Sequence, residues 1–379
     1  MVSYAAPPAD QVALGVIGTG GRGTLVMTTF QKDASVRVAA LCDVYEPNLE
    51  KAASTAGTNP KLYRNYKDLL ADRDIQAVLI ATPEHWHAQM VLDALAAGKD
   101  VYVEKPLCHT PEEGARLVEA EKHTKSIVQV GMQRRSYDLY QQGRDIVSAH
   151  KLGAVRMIRS WWLNNYLGAP ATRLDGRLDW EQWQGPAERR PLDPDRFRNW
   201  RFYSEYAGGI LADQGAHVFD GIHMLMSAGY PAAVNASAGK VHKAGVNQPE
   251  SVVAIAEYPE DFIAAFSINY AAMQYRTRND QLNQLDGDAA RMDIGREELK
   301  VFLKGAEDAP AISAKSERGF NYATDLHVRN FLECVRTRQT PTAPIRIAFQ
   351  AALVVQMANL SLRQGRRLRW NAAANRVEA

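Results

Sequence analysis

Near the start of the chain an apolar run over residues 12–18 ends in Gly18-Thr19-Gly20-Gly21-Arg22-Gly23, and a stretch with helical spacing follows over about 23–32. A strand that stops in a G-x-G-x-x-G and reopens as a helix admits few folds. Such a turn uses glycine three times: for the tight reversal, for close approach of backbone amides to a pyrophosphate, and for packing of the helix on the sheet. A Gly-rich turn without a ligand is the plainer alternative. Further apolar runs at 36–41, 77–81, 101–103 and 127–130 are separated by polar-apolar stretches of helical length. This βαβαβαβαβ alternation predicts a parallel sheet covered by helices on both faces, because a parallel strand is reached only by a crossover. Pro47 and the pair Thr110-Pro111 mark helix starts, and Gly98 follows a helix expected over 84–97. Residues 1–133 are read as one domain.

After Gln133 the pattern changes. Residues 163–206 are rich in Trp, Arg, Asp and Pro without a sustained period, the look of a long functional loop. Segments 252–258 and 262–270, joined through Pro259, Glu260 and Asp261, read as an antiparallel pair. Further strands are expected at 155–162, 233–238, 291–294 and 301–303, and two helices over 325–336 and 345–364 are expected to close the chain. The fold class is therefore α/β: an N-terminal Rossmann-type domain, then residues 134–379 as a second α/β domain with a large, mostly antiparallel sheet. Such a sheet can keep one face open to a partner.

Composition narrows the function. A length of 379 residues points to two domains. Lys and Arg (45) nearly balance Asp and Glu (43), leaving a net charge of +2, too little for a nucleic-acid partner. Cys42, Cys108 and Cys334 are widely spaced and read as core thiols rather than as disulfides or metal ligands. No uninterrupted apolar run reaches the length of a membrane span, Gln356 breaking the candidate at 351–355, so no membrane partner is expected. Residues 1–11 lack the basic start and apolar centre of an export signal, which points to the cytoplasm, or to the periplasm if such a signal has been trimmed.

The chemistry gathers at the carboxyl ends of the predicted strands, where open α/β sheets bind ligands. Gly18, Gly20, Gly21, Arg22 and Gly23 form the expected pyrophosphate cradle. Asp43 ends the second strand twenty residues past Gly23, where a carboxylate accepts both adenosine ribose hydroxyls and repels a 2′-phosphate, so NAD is expected over NADP. Capping the next helix is the alternative for Asp43. Thr82-Pro83-Glu84-His85-Trp86-His87 follows the third strand, placing Thr82, Trp86 and His87 near the dinucleotide; two alternating histidines without a third ligand do not make a metal site. Glu104-Lys105-Pro106 ends the fourth strand and fixes Lys105 at the ligand edge, where an ammonium can polarise a substrate hydroxyl; a salt-bridged surface lysine is the alternative. In Asp213-Gln214-Gly215-Ala216-His217 a carboxylate and an imidazole four apart share a helix face, so that Asp213 can orient His217 or hydrogen-bond substrate beside it. With Asp220 on the same face, a polar helix surface or a metal site fits the spacing as well. Arg189, Arg190, Arg196, Arg198 and Arg201, interspersed with Asp193 and Asp195, read as an ion-paired loop, the alternative being that one arginine, for which Arg201 is carried forward, meets a cofactor phosphate or an anionic substrate. Trp161, Trp162, Trp180, Trp183 and Trp200 offer aromatic faces for sugar rings, or core.

Together the glycine motif, Glu104-Lys105-Pro106 and Gly208-Gly209 before Asp213-Gln214-Gly215-Ala216-His217 resemble the Gfo/Idh/MocA oxidoreductases, as do Val130 to Arg135, Asp179-Trp180, Gly185-Pro186 and Asn199-Trp200-Arg201. The resemblance implies a Rossmann domain and a C-terminal domain whose open sheet builds homodimers or homotetramers. It implies Lys105, Asp213 and His217 as catalytic and substrate-contacting residues, with His217 as base. It places Glu104, Gln133, Trp200 and Arg201 near cofactor, and Arg134 and Tyr137 near substrate. The activity it implies is NAD-dependent removal of a hydride from a secondary hydroxyl carbon of a sugar or glycoside. The alternative is an NAD-dependent glycoside hydrolase or lyase that oxidises transiently, eliminates and re-reduces. A non-catalytic cofactor-binding sensor and an Asp/His metal hydrolase are the remaining alternatives.

Overall fold

The computed structural model describes residues 11–165, 168–272 and 281–379. Six parallel strands form the first sheet: β1 (Val12–Ile17), β2 (Val36–Cys42), β3 (Lys61–Tyr63), β4 (Ala77–Ile80), β5 (Asp100–Val103) and β6 (Val128–Val130). Their order is β3-β2-β1-β4-β5-β6, so the chain reverses its direction of travel between β1 and β4 and opens a crevice at their carboxyl ends. The helices α1 (Gly21–Phe30), α2 (Glu46–Ala56), α3 (Tyr66–Ala71), α4 (Glu84–Ala96) and α5 (Pro111–His123) supply the crossovers. The strand and helix β3 and α3 were not among the sequence expectations. The strand is three residues long and lies at the sheet edge, so it carries no buried apolar run to betray it. The start of α5 is held by a reciprocal capping box between Thr110 and Glu113.

The second sheet has ten strands: β7 (Val155–Leu163), β8 (Ala233–Ala238), β9 (Ser251–Tyr258), β10 (Phe262–Asn269), β11 (Gln281–Gly287), β12 (Ala290–Ile294), β13 (Glu298–Leu303), β14 (Ile312–Lys315), β15 (Leu368–Asn371) and β16 (Arg376–Glu378). Among the described residues only β7 and β10 pair in parallel within this sheet, the other pairings being antiparallel. The helices α6 (Asp138–Ser148), α9 (Gly209–Met226) and α11 (Ile345–Gln364) cover one face. On β9 the inward residues Val252, Ala254, Ala256 and Tyr258 are buried, while Val253 and Ile255 are 44% and 40% exposed on the other face. Two expectations need correction. The closing helices do not end the chain, since β15 and β16 return to the sheet edge. The segment 163–206 is mostly irregular but holds the short helices α7 (Trp180–Gln184) and α8 (Pro194–Arg198) and a 3-10 turn at Trp200–Phe202.

Helix α11 is long and apolar enough to cross a bilayer by length and composition, a test that an uninterrupted-run criterion misses because Gln356 and Asn359 are buried within it. Some 78% of its apolar window is packed inside the protein between α9 and α5. The remaining helix, α10 (Tyr322–Thr337), crosses back onto the first sheet. Its Phe331 meets Phe30 and Tyr102 edge-on at 5.9 and 5.8 Å, and Val328, Leu332 and Val335 join the same core. The two sheets are thus locked by helices from the second half of the chain. All three cysteines are buried and free.

Candidate active site

A cleft of about 590 Å3, within the size range of small-molecule sites, runs along the carboxyl edge of the first sheet. Its floor begins at the glycine turn. Gly18 sits at φ +83, and a side chain there would come within 2.8 Å of the backbone at Ala81 and Thr82. At Gly23 a Cβ would fall 1.9 Å from the carbonyl oxygen of Gly18, so this glycine sets how closely α1 packs on the turn and does not itself line the cleft. Gly18, Gly20, Gly21 and Arg22 do line it. The Arg22 guanidinium is committed to Glu104, at 2.8 Å, and both line the wall.

Asp43 lines the cleft at the end of β2. Its Oδ2 accepts from the Thr19 amide (2.7 Å) and hydroxyl (3.1 Å), and its Oδ1 from the Tyr45 amide (2.8 Å). The carboxylate therefore braces the glycine turn rather than capping α2, whose N-cap is Tyr45. Burial raises its pKa, which those hydrogen bonds oppose. Asn48, one turn into α2, also bonds Asp43 and lines the cleft. No local pattern marks Asn48, because the contact depends on the angle at which α2 leaves β2.

His87 lines the cleft as expected, with Nδ1 2.6 Å from the Pro106 carbonyl and Nε2 2.8 Å from that of Thr82; the neutral ring, with its single N–H, donates to one of these two carbonyls. Burial lowers its pKa. His85 faces the Trp183 carbonyl at 3.0 Å. Among the described residues no group of three or more His, Cys, Asp or Glu side chains is placed to hold a metal ion.

At the far end of the cleft, Lys105 Nζ donates to Asp213 Oδ1 at 2.6 Å and to the Asp213 carbonyl at 2.7 Å. The Lys105-Pro106 peptide is cis. Asp213 Oδ2 accepts from Gln214 Nε2 at 3.0 Å and lies 3.5 Å from Arg201 Nε. Burial pushes the Asp213 carboxyl up, but Lys105 and Arg201 outweigh it and hold it at about 2. Asp213 does not orient His217, as its oxygens are taken by these other partners. His217 instead stacks on Trp162, with centroids 6.4 Å apart and planes 22° apart. Burial, then the cations Lys105 and Arg134, hold its imidazole well below its ordinary pKa, so it is neutral at pH 7. Its Nδ1 is buried without a hydrogen-bond partner among the described residues, and so is Gln133 Oε1; both residues line the cleft.

Trp200 and Arg201 complete this wall, with the guanidinium 4.2 Å from the Trp200 ring centre. Arg134 and Tyr137 do not reach the cleft, which corrects their placement near substrate. Arg134 is buried behind the site, donating to Tyr140 and Gln281 and lying 5.5 Å over the Trp162 ring, while the Tyr137 hydroxyl donates to the Arg296 carbonyl. Asp220 pairs with Arg135 at 2.6 Å, away from the cleft. Trp180 and Trp183 stack on each other at 4.8 Å in a small aromatic core, so they are chiefly packing. Gln214 and Arg198 line the cleft although sequence reasoning gave them no role there, and Trp183, offered as a sugar-facing or core aromatic, lines it too.

The cleft carries the glycine turn and Asp43 at one end and Lys105, Asp213 and His217 at the other. A profile described as an oxidoreductase family with an NAD-binding Rossmann fold, GFO_IDH_MocA, matches residues 12–132, and that family's C-terminal alpha/beta domain matches residues 174–369. An inositol 2-dehydrogenase/D-chiro-inositol 3-dehydrogenase from Shouchella clausii is 39% identical over 150 residues, 39% of this chain and 43% of the relative. An inositol 2-dehydrogenase from Serratia proteamaculans is 35% identical over 161 residues, 42% of this chain and 48% of the relative. The chain thus spans less than half the length of these curated relatives. Levoglucosan dehydrogenase, solved with NADH and levoglucosan, superposes with a TM-score of 0.74 over 95% of this chain and 99% of that one, at 19% identity. A Klebsiella pneumoniae NAD-binding oxidoreductase superposes with a TM-score of 0.76 over 95% and 99%, at 16% identity.

Proposed function

Because the chain belongs to the Gfo/Idh/MocA oxidoreductase family, with its NAD-binding Rossmann domain, we propose that it is an NAD-dependent dehydrogenase acting on a secondary hydroxyl of a sugar or related cyclic polyol. The observation that carries this reading is the Lys105–Asp213 contact in the same cleft as a neutral, buried His217 with a free Nδ1. NAD, when bound, supplies the hydride acceptor. Gly18, Gly20 and Gly21 would hold its pyrophosphate through backbone amides, and Asp43 its adenosine ribose. A substrate hydroxyl held beside Lys105 and His217, which line the same cleft, would have its developing alkoxide stabilised by the ammonium while His217 takes the proton. Asp213, staying ionised, holds the lysine in place through its Oδ1 and its carbonyl. The inositol and levoglucosan dehydrogenases among the relatives support a ring carbinol as substrate class.

The open face of the ten-stranded sheet, with Met157, Val253 and Ile255 exposed on its central strands, is proposed to pair with a second copy into a homodimer or homotetramer. The deciding experiment on activity is to incubate the purified chain and NAD with inositols, anhydrosugars and aryl glycosides, following reduced nicotinamide and aglycone release together. Reduced cofactor formed with a ring polyol and lost in Lys105→Met supports the reading. Absence of both signals across the panel overturns it.

A further inference from the structure

Among the described residues three arginines line the cleft, and two of them are committed elsewhere. Arg22 is paired with Glu104 at 2.8 Å, and Arg198 donates to the Tyr45 hydroxyl at 3.0 Å, on the Asp43 side. The third is Arg201. Its Nε lies 3.5 Å from Asp213 Oδ2, while Nη1 and Nη2 have no hydrogen-bond partner among the described residues. The side chain is 37% exposed, so those donors are open to a ligand. They are nonetheless held in place. The guanidinium lies 4.2 Å from the centre of the Trp200 ring, and both residues sit on the 3-10 turn at Trp200–Phe202, which the buried Phe202 and its amide bond to the Asn199 carbonyl at 2.9 Å pin down. A guanidinium fixed by stacking keeps its fork of N–H groups preorganised for a planar anion.

The charge balance points the same way. Arg22 and Glu104 offset each other, and Asp213 is a single carboxylate between Lys105 at 2.6 Å and Arg201 at 3.5 Å. With His217 neutral, this end of the cleft lining carries one positive charge more than its carboxylates offset. Such an excess is costly in a site partly withdrawn from water unless the ligand brings the counter-charge.

Resting on the reading that this cleft oxidises a ring carbinol, we propose that Arg201 is a substrate-binding residue that takes a carboxylate carried on the ring, so that the substrate class is a hexuronic acid or its glycoside. Lys105 and Arg201 address the two oxygens of the same Asp213 carboxylate. A carbinol oxygen placed at the ammonium therefore leaves a substituent a few bonds further round the ring at the guanidinium. A monoanion matches the single uncompensated charge, whereas a phosphate exceeds it. A neutral hydroxymethyl group there leaves the charge unbalanced. The pyrophosphate of NAD is assigned to Gly18, Gly20 and Gly21 at the other end of the cleft, which leaves Arg201 for the substrate. The carboxylate is a bystander: the hydride still leaves the carbinol carbon for NAD, and the hydroxyl proton still passes to His217.

The test compares sugars that differ only at C6. The purified chain with saturating NAD is given D-glucuronate and D-glucose, D-galacturonate and D-galactose, and the methyl glycosides of each, and reduced nicotinamide is followed. A uronate is expected to exceed its neutral partner in kcat/KM by about tenfold to a hundredfold, the worth of a hydrogen bond to a charged group. Arg201→Met keeps the stem and removes the fork. Because Arg201 also steadies Asp213, both sugars of a pair slow down, and the ratio between them is the readout. That ratio is expected to fall to about one, with NAD affinity unchanged on titration, and Arg201→Lys is expected to restore part of it. The parent ratio needs no variant, so misfolding of Arg201→Met leaves the test intact. Neutral sugars that match the uronates, or a ratio that Arg201→Met does not move, overturn the carboxylate assignment and leave the dehydrogenase reading standing. A loss of NAD affinity in Arg201→Met overturns it too, by giving the arginine to a cofactor phosphate. Bound NAD that no ring carbinol reduces, charged or neutral, removes the dehydrogenase reading and the carboxylate assignment together.

Discussion

Lys105, at the carboxyl end of β5, and Asp213, on α9, meet across the boundary between the two sheets at 2.6 Å, and Lys105 also donates to the main-chain carbonyl of the same aspartate. One residue comes from the cofactor-type domain and the other from the substrate-type domain. Their contact therefore sets the distance between the two halves of the cleft as well as the charge within it. Replacing Lys105 by Met keeps the stem and removes the ammonium; a general acid–base contribution of this kind is worth about 10²–10⁴-fold in turnover. The loss is expected in kcat with NAD affinity nearly unchanged, measured by steady-state kinetics and by NAD titration of the same preparation. His217→Ala is expected to lose a similar factor, and because His217 is held neutral, oxidation should show no acid limb at the ordinary histidine pKa. A rise through that pH that disappears in His217→Ala would count against its depressed pKa.

How much of this site could be read in advance depended on whether its cause was local. The turn at Gly18–Gly23, Asp43 and the Lys105 edge position follow from strand ends, which short apolar runs and glycines mark directly. The four-residue spacing of Asp213 and His217 was legible as a shared helix face, but their partners were not. Asp213 turns to Lys105 and Arg201, and His217 to Trp162, because three separate elements converge there. Arg134 and Tyr137 were misplaced for the same reason: adjacency to Gln133 does not fix side-chain direction across a 3-10 turn. In the fold, β3, β14 and β16 escaped notice because short edge strands bury little, the four-residue β15 and the interior strand β11 were missed as well, the latter because its polar residues Gln281, Asn283 and Gln284 hide an apolar alternation, and residues 174–206 looked irregular because they pack on another domain.

Asp43 gives a test of cofactor choice. Its carboxylate braces the Thr19 and Tyr45 amides and sits where a 2′-phosphate would be repelled. Asp43→Asn keeps an acceptor for the turn and removes the charge. The ratio of NAD to NADP affinity is expected to fall by about tenfold or more, equivalent to about 1.4 kcal/mol, with the change visible in dissociation constants from fluorescence titration. An unchanged ratio would mean that Asp43 is a bracing residue only.

Glu84 supplies a prediction about stability and pH. It is buried at the start of α4, where Oε2 accepts from the Gly208 amide at 2.9 Å and Oε1 has no hydrogen-bond partner among the described residues. Burial pushes its pKa up to about 7, the Gly208 amide opposing and Asp213 adding to the rise. A carboxyl with a folded pKa above its unfolded value favours folding when protonated, so stability is lost as pH rises from about 4.5 to about 7. The full loss at pH 8 is about 3 kcal/mol for a shift of this size. Glu84→Gln retains an acceptor for Gly208 and cannot ionise, so its stability relative to the parent should improve between pH 5 and pH 8. Urea midpoints at the two pH values measure this; a constant difference would show that Glu84 is ionised throughout.

The open face of the second sheet yields the last prediction. Ile255 pairs with Ala265 on β10, which pairs in turn with Arg159 on β7, so Ile255 lies near the centre of the uncovered face, with Val253 and Met157 close by. Exposed aliphatic side chains in the middle of a ten-stranded sheet cost solubility unless another surface covers them. The inward residues of β9 are packed independently beneath α9 and α11, so a charge at position 255 should leave the fold intact. Ile255→Glu is expected to shift the parent oligomer to monomer in sedimentation or light scattering, with an unchanged circular dichroism spectrum, because two like charges would be buried near the symmetry axis of a face-to-face dimer. If the parent is already monomeric at micromolar concentration, or if the variant keeps the parent's mass, the face is not the assembly surface.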